Sequence, residues 1–468
     1  MNMSHLIDEW QSIGAIVVHA RAYRITRRHN GRVGSEDLDQ FAALVRDRLR
    51  LRQGREPAGR RLAGALTDLA EIGALAPGTR LPSERDLAQA VGLSRGTVAA
   101  AFNALCDEGL CERRHGSGTY LLQAPSFTGL LNAGAVLADL STSVVPDPSH
   151  LVLPPLDPAE LMRTPSGHGY DTRGDPRLRA MLGGDVLITG GAQHGIDLAV
   201  RVLLRPGDRV LVDDPTYGGA LAILRRAGAH AVPVDLADPG AVGAAIARHR
   251  PALVYVVSVG NPTGAVPDLR HVAELARAQD VTIVEDRTLA ELVHEGEPPA
   301  PLATVHPYGT VTVNSLSKVL WGGLRLGWLE AAEPLLARLT EAKQGSDLAT
   351  SAVSQRLAAE LLERNPVASW RAELARRRDH FAAALTARLP GWTWTRPQGG
   401  LSLWTRLPGV DTDRFAALTR RYGVAVAPGS LFSADGRHRD RLRLSFALPP
   451  ELLDQAVTGL ARAWEERD

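Results

Sequence analysis

The stretch PGTRLPSERDLAQAVGLSRGTVAAAFNALCDEGLCERRHGSGTY, residues 77–120, decides the fold of the N-terminal part of the chain. Ser83 and Asp86 have the spacing of a capping box, in which two side chains satisfy the free N–H groups at the start of a helix. Ser94 follows a glycine turn and is typical of the cap of a further helix. The run Cys111 to Leu122 predicts two short strands around a Gly-Ser-Gly tip.

An amphipathic helix precedes this stretch, and its apolar positions follow helical spacing: Leu62, Leu66, Leu69 and Ile72. Three helices and a hairpin in this order predict a winged helix-turn-helix. The second helix of such a motif lies in the major groove of DNA, with its N-terminal residues next to the base edges. That helix begins Ser94-Arg95-Gly96-Thr97, which offers a guanidinium suited to guanine and two hydroxyls. The pattern by itself also fits a three-helix interaction module with solvated arginines.

The whole of residues 77–120 resembles the winged-helix domain of the GntR family. The resemblance implies binding to double-stranded DNA, although the formal net charge of +1 gives no bulk attraction to it. By position, it implies DNA contacts from Arg85, Ser94, Arg95, Thr97, His115 and Gly116. Arg80 and Ser117 are further candidates.

The remainder of the chain alternates predicted helices with short apolar strands. These strands are Val186–Thr189, Arg209–Val212, Leu253–Val257, Val281–Val284 and Thr310–Val313. Such alternation predicts an α/β domain with a mostly parallel sheet. Residues from about Gly345 onward predict a smaller α+β domain.

Lysine is rare in this chain, since Lys318 and Lys343 are its only two lysines among 53 basic residues. Arginine stays protonated and cannot form an imine, so each lysine is a candidate for chemistry that arginine cannot perform. Lys318 ends the motif Ser315-Leu316-Ser317-Lys318, directly after a predicted strand. The motif therefore offers an amine with two hydroxyls beside it.

Pyridoxal 5′-phosphate (PLP) needs such an amine from the protein that binds it, together with a phosphate-binding site and a carboxylate that pairs with the pyridine nitrogen. It also needs a hydrogen-bond donor to the ring oxygen and an aromatic side chain that stacks on the ring. Candidates for this phosphate cradle are Gly191, Ala192, Gln193, Ser315, Ser317 and Arg325. Asp286 suits the pyridine nitrogen, Asn261 the ring oxygen and Tyr217 the face of the ring. Each motif taken singly also fits an ordinary helix start, turn or helix cap.

The order of these motifs resembles the fold-type I aminotransferases across roughly residues 165–468. The matching strings are YDTRGDPRLR, GGAQ, DPTYGG, NPTG, SLSK followed by GGLRLGW, and RLRLSFA. The resemblance implies a Schiff base on Lys318 as the catalytic residue and a clamp for a substrate carboxylate at Arg443, with Arg441 as the alternative. A GntR-type head on such a body resembles the MocR family of regulators.

Two departures from the aminotransferase pattern bear on the pocket. The segment between Leu182 and Asp185 is shorter than the family's, which puts the local packing in question. Thr288 stands where the family commonly has a tyrosine, two residues after the aspartate. Asn261 would then hold the phenolate oxygen alone.

The expected fold class is multidomain: an α+β winged helix-turn-helix, then an α/β fold-type I PLP-dependent aminotransferase-like domain with a smaller C-terminal α+β domain. The expected parts are an N-terminal extension (1–56), a DNA-binding domain (57–123), a linker (124–148), a large domain (149–344) and a small domain (345–468). The basic cluster Arg21 to Arg32 in the extension is interpreted as a disordered tail, a DNA-contacting arm or a product of a mis-set start codon.

The expected function is that of a cytoplasmic transcription regulator, without a membrane or metal site. Its PLP-bound domain senses PLP or a small amino compound through aldimine formation, and a homodimer supplies the symmetry that paired DNA half-sites require. One alternative is a working PLP-dependent aminotransferase that carries a DNA-binding domain. Another is a DNA-binding protein with a vestigial pocket, against which the retained lysine speaks.

Overall fold

The computed structural model describes residues 35–52, 56–71, 74–75, 79–107, 110–114, 117–121, 130, 136–146, 148–155, 157–164 and 166–467. The basic cluster Arg21 to Arg32 and the DNA-contact candidates His115 and Gly116 lie outside these residues. The chain forms two compact units, Met1–Ser126 and Phe127–Asp468.

The first unit contains four helices and a hairpin in its described part: α1 (Ser35–Leu51), α2 (Ala58–Glu71), α3 (Glu84–Val91), α4 (Arg95–Asp107), β1 (Cys111–Arg114) and β2 (Gly118–Leu121). Strands β1 and β2 pair antiparallel. This is the winged helix-turn-helix that the sequence predicts.

Helix starts in the first unit follow from capping side chains. The Ser83 hydroxyl accepts from the backbone N–H of Asp86 at 3.1 Å and donates to its carboxylate at 2.7 Å, which starts α3. Helix α3 ends at Gly92, whose φ of +71° is a left-handed conformation that suits glycine. The Ser94 hydroxyl accepts from the backbone N–H of Thr97 at 3.0 Å and starts α4. These local bonds fix the turn between the two helices.

Helix α1 belongs to the core of this unit. Its Phe41 and Val45 are buried in one cluster with residues of α2 and α3 such as Leu66 and Leu87. Arg52 follows α1 and donates two hydrogen bonds of 2.8 Å to the carboxylate of Asp68 on α2. The unit therefore begins before residue 57, the predicted start of the DNA-binding domain.

The second unit alternates strands and helices through its large part. In chain order the elements are β3 (Ala138–Asp139), α5 (Pro158–Leu161), α6 (Pro176–Met181), β4 (Leu187–Thr189), α7 (Ala192–Leu203), β5 (Arg209–Val212), α8 (Gly218–Arg226), β6 (His230–Pro233), α9 (Pro239–His249), β7 (Leu253–Val257), α10 (Arg270–Ala278), β8 (Thr282–Asp286), β9 (Thr310–Ser315) and β10 (Gly327–Glu330). No helix in the described part of the chain is long and apolar enough to span a membrane.

Seven strands form one sheet in the order β4-β10-β9-β8-β7-β5-β6. The pairs from β9 to β6 are parallel, and β10 runs antiparallel to both of its neighbours. The carboxyl ends of six strands and the amino end of β10 therefore lie along one edge of the sheet. Ligands of open α/β sheets bind at this edge.

The remaining elements are one further helix of the large part, residues 335–347, which packs against α7, and a smaller α+β region. They are α11 (Leu335–Asp347), α12 (Ala352–Arg364), α13 (Val367–Arg388), β11 (Thr393–Trp394), β12 (Ser402–Arg406), α14 (Thr412–Arg421), β13 (Val424–Ala425), β14 (Ala427–Pro428), β15 (Arg441–Ser445) and α15 (Pro450–Glu465). Strands β11, β12, β15 and β14 form an antiparallel sheet.

The predicted linker, residues 124–148, is only partly linker-like. Strand β3 pairs with β13 in parallel, and Leu140 and Ser141 are fully buried. The Leu140 carbonyl accepts from the N–H of Ser445 at 2.9 Å. The second half of this segment is therefore part of the second unit, a correction that composition could not reveal because its partners lie about three hundred residues further along the chain.

The short connection between α6 and β4 is made by two glycines. Gly183 and Gly184 both have positive φ angles, of +108° and +88°. The Asp185 carboxylate next to them pairs with Arg173 at 2.7 Å, and Ile188 N–H donates to the Arg173 carbonyl. The segment that is shorter than the family's thus closes without an additional helix.

We predict that Phe41→Ala lowers the free energy of unfolding of the first unit by about 3–5 kcal/mol, because it removes a buried aromatic side chain. Every tryptophan after Trp10 lies in the second unit, so tryptophan fluorescence follows mainly that unit. A denaturant titration should show an earlier transition by circular dichroism and an unchanged one by fluorescence. Gln40→Ala, at an exposed position of the same helix, is the control. Equal stability of Phe41→Ala and the parent protein would contradict the placement of α1 in the core.

Candidate DNA-contact surface and cofactor pocket

The start of α4 forms the predicted DNA-contact surface. Arg95 is exposed, and its guanidinium lies 3.7 Å from the carboxylate of Glu84 on α3. The hydroxyls of Ser94 and Thr97 are hydrogen bonded to each other at 2.8 Å. Arg85 is also exposed on α3. The structure thus places Ser94, Arg95 and Thr97 at the start of α4 and leaves Arg85 exposed on the preceding helix.

A further arginine, which is not among the predicted DNA contacts, lies close to this surface. Arg113 on β1 donates to Asn103 on α4 at 2.7 Å and to Glu84 at 3.4 Å. Glu84 therefore contacts both Arg95 and Arg113 and holds two cations near the start of the recognition helix. In the sequence, Glu84 directly follows the predicted helix cap Ser83, and this position is the feature that could have drawn attention to it.

The two further candidates near the hairpin tip are engaged within the hairpin. The Ser117 hydroxyl is hydrogen bonded to the Tyr120 hydroxyl at 2.6 Å. Arg80 packs against Gly118, where an added Cβ atom would lie 2.8 Å from the arginine Nε. Both residues stabilise the tip.

The predicted cofactor residues converge at the carboxyl edge of the seven-stranded sheet. Tyr217 follows β5, Asn261 follows β7, Asp286 ends β8 and Lys318 follows β9. Parallel pairing of these strands brings together side chains that are far apart in sequence. Lys318 and Arg443 donate to the carbonyl groups of Ser143 and Ser141, two residues apart, so these two cations lie in one pocket.

Asp286 is buried and receives two hydrogen bonds. Its carboxylate accepts from the Tyr255 hydroxyl at 2.8 Å and from the backbone N–H of Thr288 at 2.9 Å. Burial raises the pKa of Asp286, while the bonds from Thr288 and Tyr255 and the charge of Lys318 oppose that rise. Tyr255 lies within the apolar strand β7, where sequence pattern indicated only core. A cation placed against this carboxylate, such as a protonated pyridine, would favour its ionised form.

Lys318 carries the only amine in this pocket among the described residues, and its Nζ donates to the carbonyl of Ser143 at 2.5 Å. Burial lowers its pKa to about 8, and the charges of Arg443 and Arg325 contribute in the same direction. A larger neutral fraction at neutral pH makes this amine a better nucleophile than an ordinary lysine. The indole N–H of Trp370 donates to the Lys318 carbonyl at 3.0 Å and fixes the backbone there.

Gly191 and Arg325 lie together at the start of α7. Gly191 has φ of +97°, and an added Cβ atom would lie 2.8 Å from a terminal nitrogen of Arg325. Arg325 donates to the Gly190 carbonyl at 2.8 Å, and the N-terminus of α7 follows at Ala192. Helix N-termini and guanidinium groups both favour phosphate.

Two hydroxyls complete the cradle beside the lysine. The Ser315 hydroxyl donates to Ser317 at 3.1 Å and lies 3.2 Å from the Leu326 carbonyl. The backbone N–H of Ser317 donates to the Ser315 oxygen at 3.2 Å. The SLSK turn thus presents both serines next to Lys318.

Tyr217 is fixed through Gln193 from the same helix start. Its hydroxyl donates to the Gln193 side-chain oxygen at 2.9 Å, and the Gln193 amide donates to the Gly219 carbonyl at 3.3 Å. Burial raises the pKa of Tyr217, and the charge of Asp286 adds to that rise. The tyrosine therefore remains a neutral ring in the pocket, as stacking on a cofactor requires.

Arg443 is a buried cation for which no carboxylate partner is found among the described residues. Its two terminal nitrogens donate to the Asn261 side-chain oxygen at 3.2 Å and to the Ser141 carbonyl. The Phe432 ring lies 4.7 Å from the guanidinium carbon. Burial lowers the pKa of Arg443 to about 10. The alternative, Arg441, instead packs over Trp404.

These residues fit the chemical requirements of PLP. The glycine cradle leaves no room for a side chain, and an amine of lowered pKa lies near a buried carboxylate. The sequence analysis missed four contributors: Tyr255, Trp370 and the carbonyl groups of Ser141 and Ser143. The carbonyl groups had no side-chain signal by which to find them.

Comparisons with known proteins identify the two units. The family described as aminotransferase class I and II matches residues 174–460, and bacterial regulatory proteins of the gntR family match residues 58–121. HTH-type transcriptional regulator YisV of Bacillus subtilis (strain 168) is 27% identical over 473 residues, covering 87% of this chain and 96% of that protein.

Relatives without a regulator name match the second unit. The 2-aminoadipate transaminase of Thermus thermophilus is 35% identical over 300 residues, which cover 60% of this chain and 75% of the transaminase. The crystal structure of an alpha-aminoadipate aminotransferase from the same organism, complexed with N-(5′-phosphopyridoxyl)-L-leucine, superposes with a TM-score of 0.64 and 29% identity. That match covers 74% of this chain and 95% of the enzyme.

The fold-type I aminotransferase fold and the GntR helix-turn-helix are thus both present in one polypeptide. Relatives that share most of its length carry the names of transcriptional regulators. The chain belongs to the aminotransferase class I and II family and carries a gntR-family DNA-binding domain ahead of that body, which is the domain combination of MocR-type regulators.

Proposed function

We propose that this protein is a cytoplasmic transcription regulator that holds PLP at Lys318 and senses either PLP itself or a small amino compound. The proposal rests on the groups that surround Lys318, namely a buried carboxylate and a guanidinium beside a helix N-terminus, in a chain that also carries a gntR-family DNA-binding domain. A ligand that binds two arrangements of the protein unequally shifts their populations, and DNA affinity reports the shift.

In this proposal each pocket residue has a role toward PLP. The Lys318 amine is the covalent attachment point, Asp286 pairs with the pyridine nitrogen, and Tyr217 stacks on the ring. Asn261 donates to the ring oxygen. The phosphate is held by a cradle formed by Gly191, Ala192, Gln193, Ser315, Ser317 and Arg325. When bound, the cofactor supplies an aldehyde carbon that exchanges its bond to lysine for a bond to another amine.

The proposed effector is an amino compound with a carboxylate. Arg443 is 2% exposed, and the oxygens that its terminal nitrogens contact are uncharged. A buried cation whose direct hydrogen-bond partners are uncharged favours an anionic ligand, since the pairing offsets the cost of its desolvation. A carboxylate at Arg443 and an amine toward Lys318 describe an amino acid.

We further propose a homodimer built on an apolar surface around α12. Its exposed large apolar side chains are Val152, Leu153, Met162, Met181, Leu348 and Val353. Asn365, at the end of α12, exchanges hydrogen bonds with the backbone of Val152, and α5 and α6 pack on the same helix. Exposed apolar residues concentrated in this way are typical of a protein interface. A two-fold dimer also suits paired DNA half-sites.

A second candidate function is amino-group transfer. The observation that favours it is the pKa of Lys318, about 8, together with 35% identity to a transaminase. Incubation with an amino acid separates the two candidates. Conversion of bound PLP to pyridoxamine phosphate, reversed by a keto acid, shows an enzyme, whereas a stable spectral change without conversion shows a sensor.

We predict that Lys318→Ala removes the covalently bound near-visible chromophore, because no other amine lies in the described pocket. The chain has two lysines, so borohydride reduction and peptide mass mapping locate the attachment directly. The expected label is on the peptide that contains Lys318 in the parent protein and on no peptide in the variant. Unchanged far-ultraviolet circular dichroism is the control for folding. A label on Lys343 would contradict the assignment.

The rate of covalent PLP capture should depend on pH through the pKa of Lys318. Its lowered pKa of about 8 means that the neutral amine gains about tenfold per pH unit below pH 8 and levels off above it. Stopped-flow absorbance of apo-protein mixed with PLP measures this rate. A rate that continues to climb toward pH 10, as for an ordinary lysine, would contradict the electrostatics of the pocket.

We predict that Arg95→Ala weakens binding to promoter DNA by about tenfold to a hundredfold and relaxes base preference at one position in each half-site. Fluorescence anisotropy and a footprint on the upstream region of the gene measure the two effects. Arg50→Ala, which removes an exposed arginine of α1, is the matched control and should lower affinity much less. Equal losses of DNA affinity in both variants would contradict a base contact by Arg95 and indicate a non-specific effect of removing a positive charge.

A further inference from the structure

The two residues that lead into α7, Gly190 and Gly191, are held by contacts from several sides. The Arg325 guanidinium donates to the Gly190 carbonyl at 2.8 Å, and the Thr189 hydroxyl donates to the Gly191 carbonyl at 3.1 Å. Gly327 on β10 packs against the same backbone, since a Cβ atom added at Gly327 would lie 2.8 Å from the Gly191 carbonyl carbon. The backbone N–H of Gly190 is the remaining polar group that must be fixed.

His194, in the first turn of α7, provides the acceptor for that N–H. Its Nδ1 atom accepts from the Gly190 N–H at 3.1 Å. Because this bond requires an unprotonated Nδ1, the neutral ring carries its hydrogen on Nε2. His194 therefore holds the N–H side of Gly190, while Arg325 holds the carbonyl side.

The charges around His194 allow it to remain neutral. Burial lowers the pKa of His194, and the charges of Lys343 and Arg201 contribute in the same direction, against those of Asp347 and Asp197. The Asp347 carboxylate lies 3.7 Å from Nδ1, and Lys343, which is fully buried, donates to that carboxylate at 2.7 Å. Nδ1 is thus available to accept from Gly190 at neutral pH.

The backbone that His194 holds leads into the helix N-terminus that is proposed above to bind the phosphate of PLP. The first N–H groups of a helix have no acceptor within the helix and favour a bound anion. Their direction depends on Gly190 and Gly191, which have no side chain to restrict their backbone angles. Without an acceptor at Nδ1, the Gly190 N–H would lose its partner, and the phosphate would have to order a more mobile segment when it binds.

We propose that His194 is a positioning residue for the phosphate group of PLP, which it serves by fixing the entry to α7 without contacting the cofactor. This inference rests on the proposed function, in which the start of α7 receives the phosphate. The expected defect is confined to the phosphate, because Lys318 and Asp286 are held by hydrogen bonds that do not involve α7.

The test compares PLP with pyridoxal, which has the same ring and aldehyde but no phosphate. Full-length apo-protein is titrated with each compound, and the near-visible absorbance of the lysine adduct gives two dissociation constants. His194→Ala should weaken PLP binding by about tenfold, a loss typical of a buried donor left without its acceptor, and should weaken pyridoxal binding by less than about twofold.

His194→Asn is the conservative variant, because its side-chain oxygen lies as many bonds from the backbone as Nδ1 does and can accept from Gly190. It should recover most of the PLP affinity, which a purely structural role of the ring would not allow. His194→Leu fills the space of the ring without an acceptor and takes the place of His194→Ala if that variant does not fold. His380→Ala, at an exposed histidine of α13, is the matched control and should bind both compounds as the parent does.

Equal weakening of PLP and pyridoxal binding in His194→Ala would overturn the assignment, as would unchanged binding of both compounds. An asparagine variant no better than the alanine variant would also overturn it. Each of these results leaves the proposed function standing. A parent protein that forms no adduct with PLP would instead overturn the proposed function and this inference together.

Discussion

Parallel pairing of β7, β8 and β9 is the constraint on which the pocket depends. In this register Val257 lies opposite Asp286, and Asp286 lies opposite Val313. The residues that follow these strands must then meet at one edge of the sheet, whatever their distance along the chain. A slip of one residue in β8 would turn the Asp286 carboxylate to the other face of the sheet, away from the Tyr255 hydroxyl, and would remove the charge that opposes the fall in the pKa of Lys318.

Burial of cations is the second condition that gives this pocket its chemistry. Arg443 and Lys318 both have lowered pKa values because the protein removes them from water, and neutral oxygens compensate them only in part. Such a site favours anionic ligands, since a carboxylate or phosphate adds negative charge beside these buried cations. A sensor and an enzyme both need this property, so the pocket does not distinguish the two functions. The presence of the DNA-binding domain is what favours a regulatory function.

Local signals explain how much the sequence could predict. Helix caps such as Ser83 and Ser94 depend on neighbours within a few residues, so the sequence pattern predicts them. The same holds for Asp286 and Lys318, each of which lies at or just after the end of a predicted strand. Long-range partners are different. Tyr255 belongs to an apolar strand, and the partner of its hydroxyl lies on the neighbouring strand. Residues 138–143 have the composition of a linker, and the strand with which they pair lies hundreds of residues further along the chain. Backbone carbonyl groups carry no residue signature at all.

We propose that occupancy of the Lys318 pocket controls the affinity of the DNA-binding domain for DNA. The most direct measurement is the dissociation constant for promoter DNA at one fixed salt concentration, determined for apo-protein, for PLP-loaded protein, and for PLP-loaded protein titrated with amino acids. We expect at least one of these ligands to change the constant severalfold, and Lys318→Ala to remove the change. Identical constants in all three states, with turnover of amino acid and keto acid, would contradict it and identify the protein as an aminotransferase that happens to bind DNA.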